Sequence, residues 1–201
     1  MFGFFGKLLA VVLLAAAAAA GIVLWRSADS LYTIQEWLNY SRFRQYDKMI
    51  AEVGHKHQVD PMLIKAIIWR ESSFHPEKIG KNGERGLMQV NAAAARDWAK
   101  SQRQEDFTES DLFNPRTNIE AGTWYLKQAL QRWSAKDDPI PFALAEYNAG
   151  LTRVDRWIGQ TNMGGKATAD DLRESIPYRS TRSYIETILH RYKFYKARGH
   201  L

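Results

Sequence analysis

An apolar helix that ends in a carboxylate is the feature that most limits how this chain can fold. Asp60 is a suitable N-cap, and Pro61 suits the first position of a helix. Four residues then follow at i, i+3, i+4 and i+7, the spacing of a single helical face: Ile64, Ile67, Ile68 and Glu71. The pattern predicts a helix from Asp60 to about Phe74, stopped before Pro76.

Glu71 closes this apolar stripe, so its carboxyl is expected to be partly desolvated. Desolvation disfavours the charged form and raises the pKa, as a general acid working near neutral pH requires. Position alone leaves an alternative open, because a glutamate at a helix end is more often solvated or salt-bridged.

Further motifs support the catalytic interpretation. The chain carries ESSFHP at 71–76, GLMQV at 86–90 and AEYNAG at 145–150, followed by IPY at 176–178 and TRSY at 181–184. In this order, from about Tyr46 to about Tyr195, the chain resembles the catalytic domain of the soluble lytic transglycosylases. These are relatives of goose-type lysozyme that cut bacterial peptidoglycan. The resemblance implies an enzyme, a carbon–oxygen lyase acting on a polysaccharide.

The predicted secondary structure is helical throughout. Asn91 is expected to cap a second helix, and Asn118 to cap a third after a turn at Asn114–Pro115. Pro141 to Tyr147 and Thr181 to about Ala197 are also predicted helices. No segment after Arg26 reads as a β-sheet, which gives an all-α domain that agrees with the lysozyme-like core implied by the resemblance.

The length of 201 residues, 45% of them hydrophobic, suits one domain with an appendage. The expected organisation is a membrane anchor or signal segment at 1–26, a helical lead-in at 27–45 and a transglycosylase domain at 46–201. The chain has no cysteine, which excludes disulfides, thiolate metal sites and a cysteine nucleophile.

The N-terminal appendage contains an uncharged apolar run. Leu8 to Trp25 would extend about 27 Å as a helix, close to the thickness of a bilayer's hydrocarbon core. We favour an uncleaved single-pass anchor in the bacterial inner membrane, because the apolar run continues beyond the alanines that precede Gly21. The rivals are a signal peptide, cleaved at those small residues and releasing a periplasmic protein, and a buried soluble helix. With the anchor, the domain is expected on the periplasmic face.

The net charge of +6 suits an anionic partner such as a membrane surface or cell-wall polymer. The basic residues are scattered and form no run with interleaved aromatics, which disfavours nucleic acid. The expected partners are peptidoglycan glycan strands, the inner membrane through residues 8–25 and a cell-envelope or secretion machine.

Most glycosidases use two carboxylates. None of the other glutamates in the motif-bearing stretches has an apolar setting like that of Glu71; these are Glu77, Glu84, Glu146 and Glu174. The resemblance implies that one catalytic carboxylate suffices. A lytic transglycosylase is thought to use a single glutamate as acid and then as base, while the N-acetyl group of muramic acid assists. The sugar's own 6-hydroxyl then attacks and leaves a 1,6-anhydro product.

The resemblance also implies a set of substrate-binding residues. Met88 and Gln89 would line the sugar groove, Tyr147 and Asn148 would lie across the cleft, and Tyr184 would approach the carboxylate or the N-acetyl group. Structural alternatives stay open for each of them. Met88 can be a core residue, Gln89 a helix cap and Asn148 a helix terminator, while the two tyrosines can be buried with satisfied hydroxyls.

One position departs from the family pattern. Members commonly have a serine nine residues after the glutamate, close to the N-acetyl group of the substrate, whereas this chain has Gly80. Ser72 and Ser73 are the candidates to replace it. The loop also carries more charge than usual, at Lys78, Lys81, Glu84 and Arg85.

No histidine or carboxylate set has metal-ligand spacing, and no glycine-rich stretch matches a phosphate-binding loop, so no cofactor or metal is predicted. Two rival functions remain. One is a lysozyme that uses water as acceptor, and the other is a glycan-binding or scaffolding protein that holds the sugar without cutting it.

Overall fold

A computed structural model describes residues 6–9, 11–15, 17–18, 21, 34–36, 38–160, 166–199 and 201. The chain divides into two compact units, residues 1–45 and residues 46–201. In the first unit, the described residues between 6 and 21 are helical, and a short helix, α1, spans Tyr40–Arg44.

The predicted anchor at 8–25 and the lead-in at 27–45 lie partly outside the described residues, since all of 22–33 falls there. Among the residues that are described, no helix combines the length and the apolar character needed to cross a bilayer.

The second unit is built from helices. Their bounds are Asp47–His57 (α2), Pro61–Ser72 (α3), Ala92–Ser101 (α4), Pro115–Arg132 (α5), Pro139–Ala149 (α6), Leu151–Gln160 (α7), Ala169–Ser175 (α8) and Arg179–Arg198 (α9). A short 3-10 helix, Glu109–Phe113, precedes α5. Within the described ranges no extended strand occurs. The loop after α3 has only two isolated antiparallel bridges, Ile79 with Arg85 and Arg85 with Val90.

Helix α3 lies at the centre of this unit, packed against α2 and against the long C-terminal α9. It is buried on almost every side: Leu63, Ile64, Lys65, Ala66, Ile67, Ile68 and Ser72 are all inaccessible. Helix α6 joins α9 to α5, and α7 covers α6. A central helix held by several neighbours provides a rigid support for the residue at its end.

The predicted start of α3 is confirmed. The side chain of Asp60 accepts a hydrogen bond from the Met62 amide at 2.9 Å, and Pro61 occupies the first turn. The helix ends at Ser72, two residues earlier than predicted, because Ser73 and Phe74 both adopt left-handed backbone, with φ of 51° and 63°. Phe74 is fully buried, which holds this unfavourable backbone in place.

The predicted cap at Asn91 is also confirmed, since its side chain accepts from the Ala94 amide at 2.8 Å. The predicted cap at Asn118 is wrong. Helix α5 begins earlier, at Pro115, and Asn114 caps it by accepting from the amides of Arg116 and Thr117 at 3.0 and 3.2 Å. Asparagine followed by proline is a helix start as readily as a turn.

Two other helices are longer than predicted. Helix α6 starts at Pro139 rather than Pro141, where Asp138 caps it through the Ile140 amide at 3.3 Å, and α9 starts at Arg179 rather than Thr181. Propensity patterns leave such end residues poorly determined.

Candidate active site

Glu71 lies in the last turn of α3, at the end of the buried stripe. Desolvation is the largest effect on its carboxyl and raises the pKa to about 7, against the opposing effects of a hydrogen bond from Tyr184 and the charges of Arg70 and Lys78. A carboxyl with this pKa is largely protonated just below neutrality and still ionises readily. Such a group can donate a proton in one step and recover it in the next.

Tyr184, on α9, is the direct partner of Glu71. Its hydroxyl donates a hydrogen bond to Oε1 of Glu71 at 2.7 Å. The ring is buried, and desolvation together with the neighbouring carboxylate raises the pKa of the phenol well above its ordinary value. Tyr184 is therefore a fixed donor that holds one oxygen of the acid in place.

Two cations lie close to this pair. The guanidinium of Arg70 is 5.6 Å from the centre of the Tyr184 ring. The ammonium of Lys78 donates a hydrogen bond to the main-chain carbonyl of Glu71 at the end of α3, where the helix dipole favours positive charge. Both are exposed enough for water to weaken their effect on the carboxyl.

Tyr147 belongs to the same cluster. Its hydroxyl donates to the carbonyl oxygen of Met88 at 3.0 Å, and its ring meets that of Tyr125 edge to face, with centroids 5.6 Å apart. Desolvation, followed by the nearby charge of Glu71, raises the pKa of the Tyr147 phenol well above its ordinary value. The structure thus brings Glu71, Tyr147 and Tyr184 together.

Met88 contributes to the site through its main chain. Its side chain is fully buried, and the thioether packs against α5, where it accepts a long hydrogen bond from Thr123 at 3.8 Å. The sequence left two interpretations of Met88 open, a residue that lines the sugar groove and a core residue. This packing supports the core residue.

Gln89 occupies a left-handed backbone position, with φ of 49°. Its side-chain amide donates to the carbonyls of Lys78 and Gly86, both at 3.0 Å. These bonds close the loop of residues 78–89 onto itself, while the side chain remains partly exposed. Gln89 therefore holds the loop next to Glu71 and does not cap the following helix.

The other predicted substrate-binding residues, Asn148, Ser72 and Ser73, differ in their exposure and in their hydrogen-bond partners. Asn148 is exposed and accepts a hydrogen bond from the Thr181 hydroxyl at 2.9 Å, which ties the end of α6 to the start of α9. Ser72 is buried and donates to the Ile68 carbonyl at 3.1 Å within its own helix. Ser73 is exposed, and its hydroxyl lies 3.4 Å from the Trp69 carbonyl. Of the two serines, only Ser73 faces solvent.

The remaining glutamates differ from Glu71. Glu146 is buried but already bonded, to Trp133 Nε1 at 2.8 Å and to Arg132 Nε at 3.3 Å, so it has a structural role. Glu77 and Glu174 are exposed. Glu84 lies in the loop, partly buried and close enough to Glu71 that its charge acts on that carboxyl. Among the described residues, no group of three or more histidines or carboxylates could hold a metal ion.

Asn118 is a residue of the site whose role the sequence did not reveal. It is fully buried inside α5, accepts from the Met88 amide at 2.7 Å and donates to the carbonyls of Arg85 and Leu112 at 2.7 and 2.8 Å. Three hydrogen bonds of one amide, both of its N–H donors among them, thus fix the loop that presents Gln89 and the Met88 carbonyl. The available signal was an asparagine within an otherwise apolar helical pattern, since such residues are unfavourable there without a partner.

Comparisons with known proteins agree with this arrangement. The family model described as "Transglycosylase SLT domain" matches residues 48–169. The "Soluble lytic murein transglycosylase" of Salmonella typhimurium is 32% identical over 145 residues, which cover 72% of this chain and 22% of that protein. The "Membrane-bound lytic murein transglycosylase F" of Desulfosudis oleivorans is 31% identical over 150 residues, covering 72% and 31%. The chain thus spans less than a third of either relative.

The crystal structure of the 70-kDa soluble lytic transglycosylase from Escherichia coli superimposes with a TM-score of 0.67 at 28% identity, covering 76% of this chain and 24% of that one. The predicted class, a mostly helical lysozyme-like domain, is thereby confirmed. Within that class, the chain belongs to the transglycosylase SLT domain family.

Proposed function

We propose that this chain is a peptidoglycan lytic transglycosylase. It cleaves the β-1,4 bond between N-acetylmuramic acid and N-acetylglucosamine and leaves a 1,6-anhydro-muramic acid end. The observation that carries the proposal is the desolvated Glu71 carboxyl, with a pKa of about 7, hydrogen-bonded to Tyr184 at 2.7 Å. Relatives named as lytic murein transglycosylases support the same reaction.

The first step uses Glu71 as the acid. Its proton passes to the glycosidic oxygen as the bond to the anomeric carbon breaks, and the carbonyl oxygen of the substrate's N-acetyl group bonds to that carbon. The ring closed by the acetamido oxygen is positively charged, and the carboxylate left on Glu71 balances this charge. Tyr184 stabilises this carboxylate, because a hydrogen bond to an ionised acceptor is about twice as strong as a neutral one.

The second step uses Glu71 as the base. The carboxylate takes the proton of the 6-hydroxyl, whose oxygen bonds to the anomeric carbon and displaces the N-acetyl oxygen. No water is consumed, and Glu71 is protonated again for the next cycle. A single carboxyl with a pKa near the working pH suits both transfers.

The remaining residues bind and orient the glycan. Gln89, Asn148 and Ser73 offer partly or fully exposed polar groups around Glu71, and Tyr147 adds an aromatic face. Met88 and Ser72 act from below the surface, Met88 by offering its carbonyl to Tyr147 and Ser72 by closing the last turn of α3. No cofactor takes part.

The experiment is product analysis after digestion of purified sacculi by the full-length protein in detergent. We expect muropeptides one water lighter than lysozyme products. Glu71→Gln should lower turnover by about 10²–10⁴-fold, the usual worth of a general acid–base group. Glu77→Gln, which removes an exposed carboxylate from the same stretch, is the matched control and should keep wild-type turnover.

Other products identify the rival functions. Reducing-end muramic acid as the main product would indicate a hydrolytic lysozyme. Sacculus binding with no soluble product from wild-type protein would indicate a glycan-binding or scaffolding role.

We also propose that residues 8–25 anchor the protein in the bacterial inner membrane, with residues 46–201 forming the transglycosylase domain on the periplasmic face. The length and apolar character of this run support the proposal. The protein should stay in the membrane fraction through high-salt and carbonate washes, and a C-terminal topology reporter should read as periplasmic. A soluble form beginning near Gly21 would instead show a cleaved signal peptide.

A further inference from the structure

The ends of two neighbouring side chains occupy the space beside Gly80. A Cβ on this residue would be 2.8 Å from Oε1 of Gln89 and would collide with the carboxylate of Glu84. The backbone there is outside the left-handed region, so conformation does not require glycine. The Glu84 carboxylate occupies the space in which a side chain at position 80 would lie, so such a side chain would displace it.

The Glu84 carboxylate is held in this place by the turn that carries it. One oxygen accepts from the Asn82 amide at 3.0 Å and the other from the Asn82 side chain at 2.8 Å. The main chain closes the same turn, with the Gly80 amide donating to the Glu84 carbonyl at 2.7 Å. Partial burial raises the pKa of Glu84, but these hydrogen bonds outweigh it and hold the pKa below its ordinary value. The group is therefore an anion at neutral pH.

The resemblance to lytic transglycosylases places a serine at position 80, close to the N-acetyl group of the substrate. Here the side chain nearest that place belongs to Glu84. In this chain, the absence of a side chain at position 80 leaves room for the carboxylate of Glu84. A serine hydroxyl is neutral, whereas this carboxylate adds a fixed negative charge.

We propose that Glu84 is a second carboxylate of the active site, which accepts a hydrogen bond from the N–H of the substrate's 2-acetamido group. This role rests on the proposed transglycosylase function. When the acetamido oxygen bonds to the anomeric carbon and the glycosidic bond breaks, positive charge develops on the acetamido nitrogen. Glu84 stabilises that charge and orients the group for attack. It transfers no proton, so Glu71 remains the only acid and base.

Glu84 also acts on Glu71 through its charge. Among the groups facing Glu71, the Tyr184 hydroxyl and the cations Arg70 and Lys78 lower its pKa, and Glu84 raises it. The charge thus favours the protonated acid before the reaction begins. Removing the charge of Glu84 should therefore shift the basic limb of the pH–rate profile to lower pH. A side chain with a purely structural role would not produce this shift.

The test compares Glu84→Gln with Glu77→Gln in the full-length protein on sacculi. Glutamine keeps the size of the side chain and removes the charge. We expect Glu84→Gln to lower kcat by 10-fold or more with little change in KM, and to shift the basic limb to lower pH. Glu77→Gln should do neither. A Glu84→Gln variant with wild-type kcat and an unshifted limb would overturn the proposal.

A second pair of variants tests where the Glu84 carboxylate lies. Gly80→Ser should displace that carboxylate, because its Cβ would meet the flexible end of the Glu84 side chain. It should leave the melting temperature close to that of wild type and shift the basic limb to lower pH, and Gly80→Ser with Glu84→Gln should show no further shift. An unshifted basic limb for Gly80→Ser would show that Glu84 does not occupy this space. Wild-type protein that releases no anhydro product would overturn the proposed function itself. If wild type is active and Glu84→Gln has the same kcat and pH profile, only the role of Glu84 is overturned.

Discussion

The Tyr184 hydroxyl lies 2.7 Å from Oε1 of Glu71, although the two residues are 113 positions apart in the chain. Helices α3 and α9 pack directly against each other and make this contact possible. The phenol keeps its proton near neutral pH because its pKa is raised, so its hydroxyl can donate to the ionised carboxylate of Glu71. This hydrogen bond stabilises the ionised form of Glu71 and opposes the desolvation that stabilises the neutral form. The pKa of about 7 is the balance of desolvation, this hydrogen bond and the smaller effects of the charges of Arg70, Lys78 and Glu84.

Tyr184→Phe removes this donor. The pKa of Glu71 should rise above 7, because desolvation then acts with less opposition, and the basic limb of the activity profile should shift to higher pH. Turnover should fall about 10-fold or more, since a hydrogen bond to a charged group contributes about 1.5–3 kcal/mol. A pH–rate profile on sacculi measures both effects. Tyr125→Phe, a tyrosine that contacts Tyr147 rather than the acid, is the control, and an unshifted limb for Tyr184→Phe would contradict the assignment.

Glu71→Gln should be more stable than wild type at alkaline pH. The folded-state pKa of Glu71 is raised from 4.5 to about 7, so the folded protein binds the proton more tightly than the unfolded chain does. Its contribution to stability is full below about pH 4.5 and is lost as the pH rises through 7. The loss is about 3 kcal/mol, from 1.36 kcal/mol per pKa unit. Glutamine does not titrate and avoids this loss.

Thermal melts between pH 5 and pH 9 test the sign. The melting temperature of wild type should fall relative to that of Glu71→Gln as the pH rises, and Glu77→Gln should track wild type. Parallel curves for wild type and Glu71→Gln would mean that Glu71 is solvated.

Asn118→Ala should destabilise the domain strongly. The change leaves the buried Met88 amide and the carbonyls of Arg85 and Leu112 without their side-chain partner. The Arg85 carbonyl still accepts from the Val90 amide at 3.0 Å, so the loss falls on the other two groups. Each buried unsatisfied group costs about 1–3 kcal/mol, so a total of about 2 kcal/mol or more is expected. Asn114→Ala removes only the exposed N-cap of the same helix and should cost about 1 kcal/mol. Denaturant unfolding of both variants measures the difference in the free energy of unfolding. Equal losses would show that the Asn118 side chain does not hold these segments together.

Sequence patterns predicted those features that depend on neighbours in the chain. Asp60 and Asn91 have local cap signals, and the stripe that ends at Glu71 has a helical period, so the helix followed from local patterns. A desolvated Glu71 was one of two interpretations that its position left open. The pairing of Glu71 with Tyr184 could be expected only from the resemblance to a family, because no local pattern relates residues so far apart.

Asn118 shows where local patterns fail. Its residue type suits a helix cap, but its neighbours in space are the loop of residues 85–88 and the 3-10 helix at Glu109–Phe113. The packing of those segments decides the role of the amide, and no spacing in the sequence specifies that packing. Gly80 is similar: the sequence marked it as a departure, and only the position of Glu84 gives a steric reason for it.

Gly122→Ala should destabilise the domain and weaken the site together. Gly122 is buried in α5, and a Cβ there would lie 2.6 Å from Sδ and 2.8 Å from Cβ of Met88. Met88 is fully buried and its amide is fixed by Asn118 at 2.7 Å, so it cannot move aside freely. Overpacking of this kind costs about 1–3 kcal/mol, which exceeds the gain of up to about 1 kcal/mol from replacing glycine within a helix.

Displacement of Met88 would also move the carbonyl that accepts from Tyr147 at 3.0 Å. We therefore expect lower turnover in the folded fraction as well as a lower melting temperature. Gly159→Ala is the matched control, because it changes a helical glycine in α7 whose added Cβ meets nothing within 4 Å. That variant should be unchanged or more stable by up to about 1 kcal/mol, with wild-type turnover. If Gly122→Ala behaves like Gly159→Ala, then Met88 is not packed against α5 and does not hold the acceptor for Tyr147.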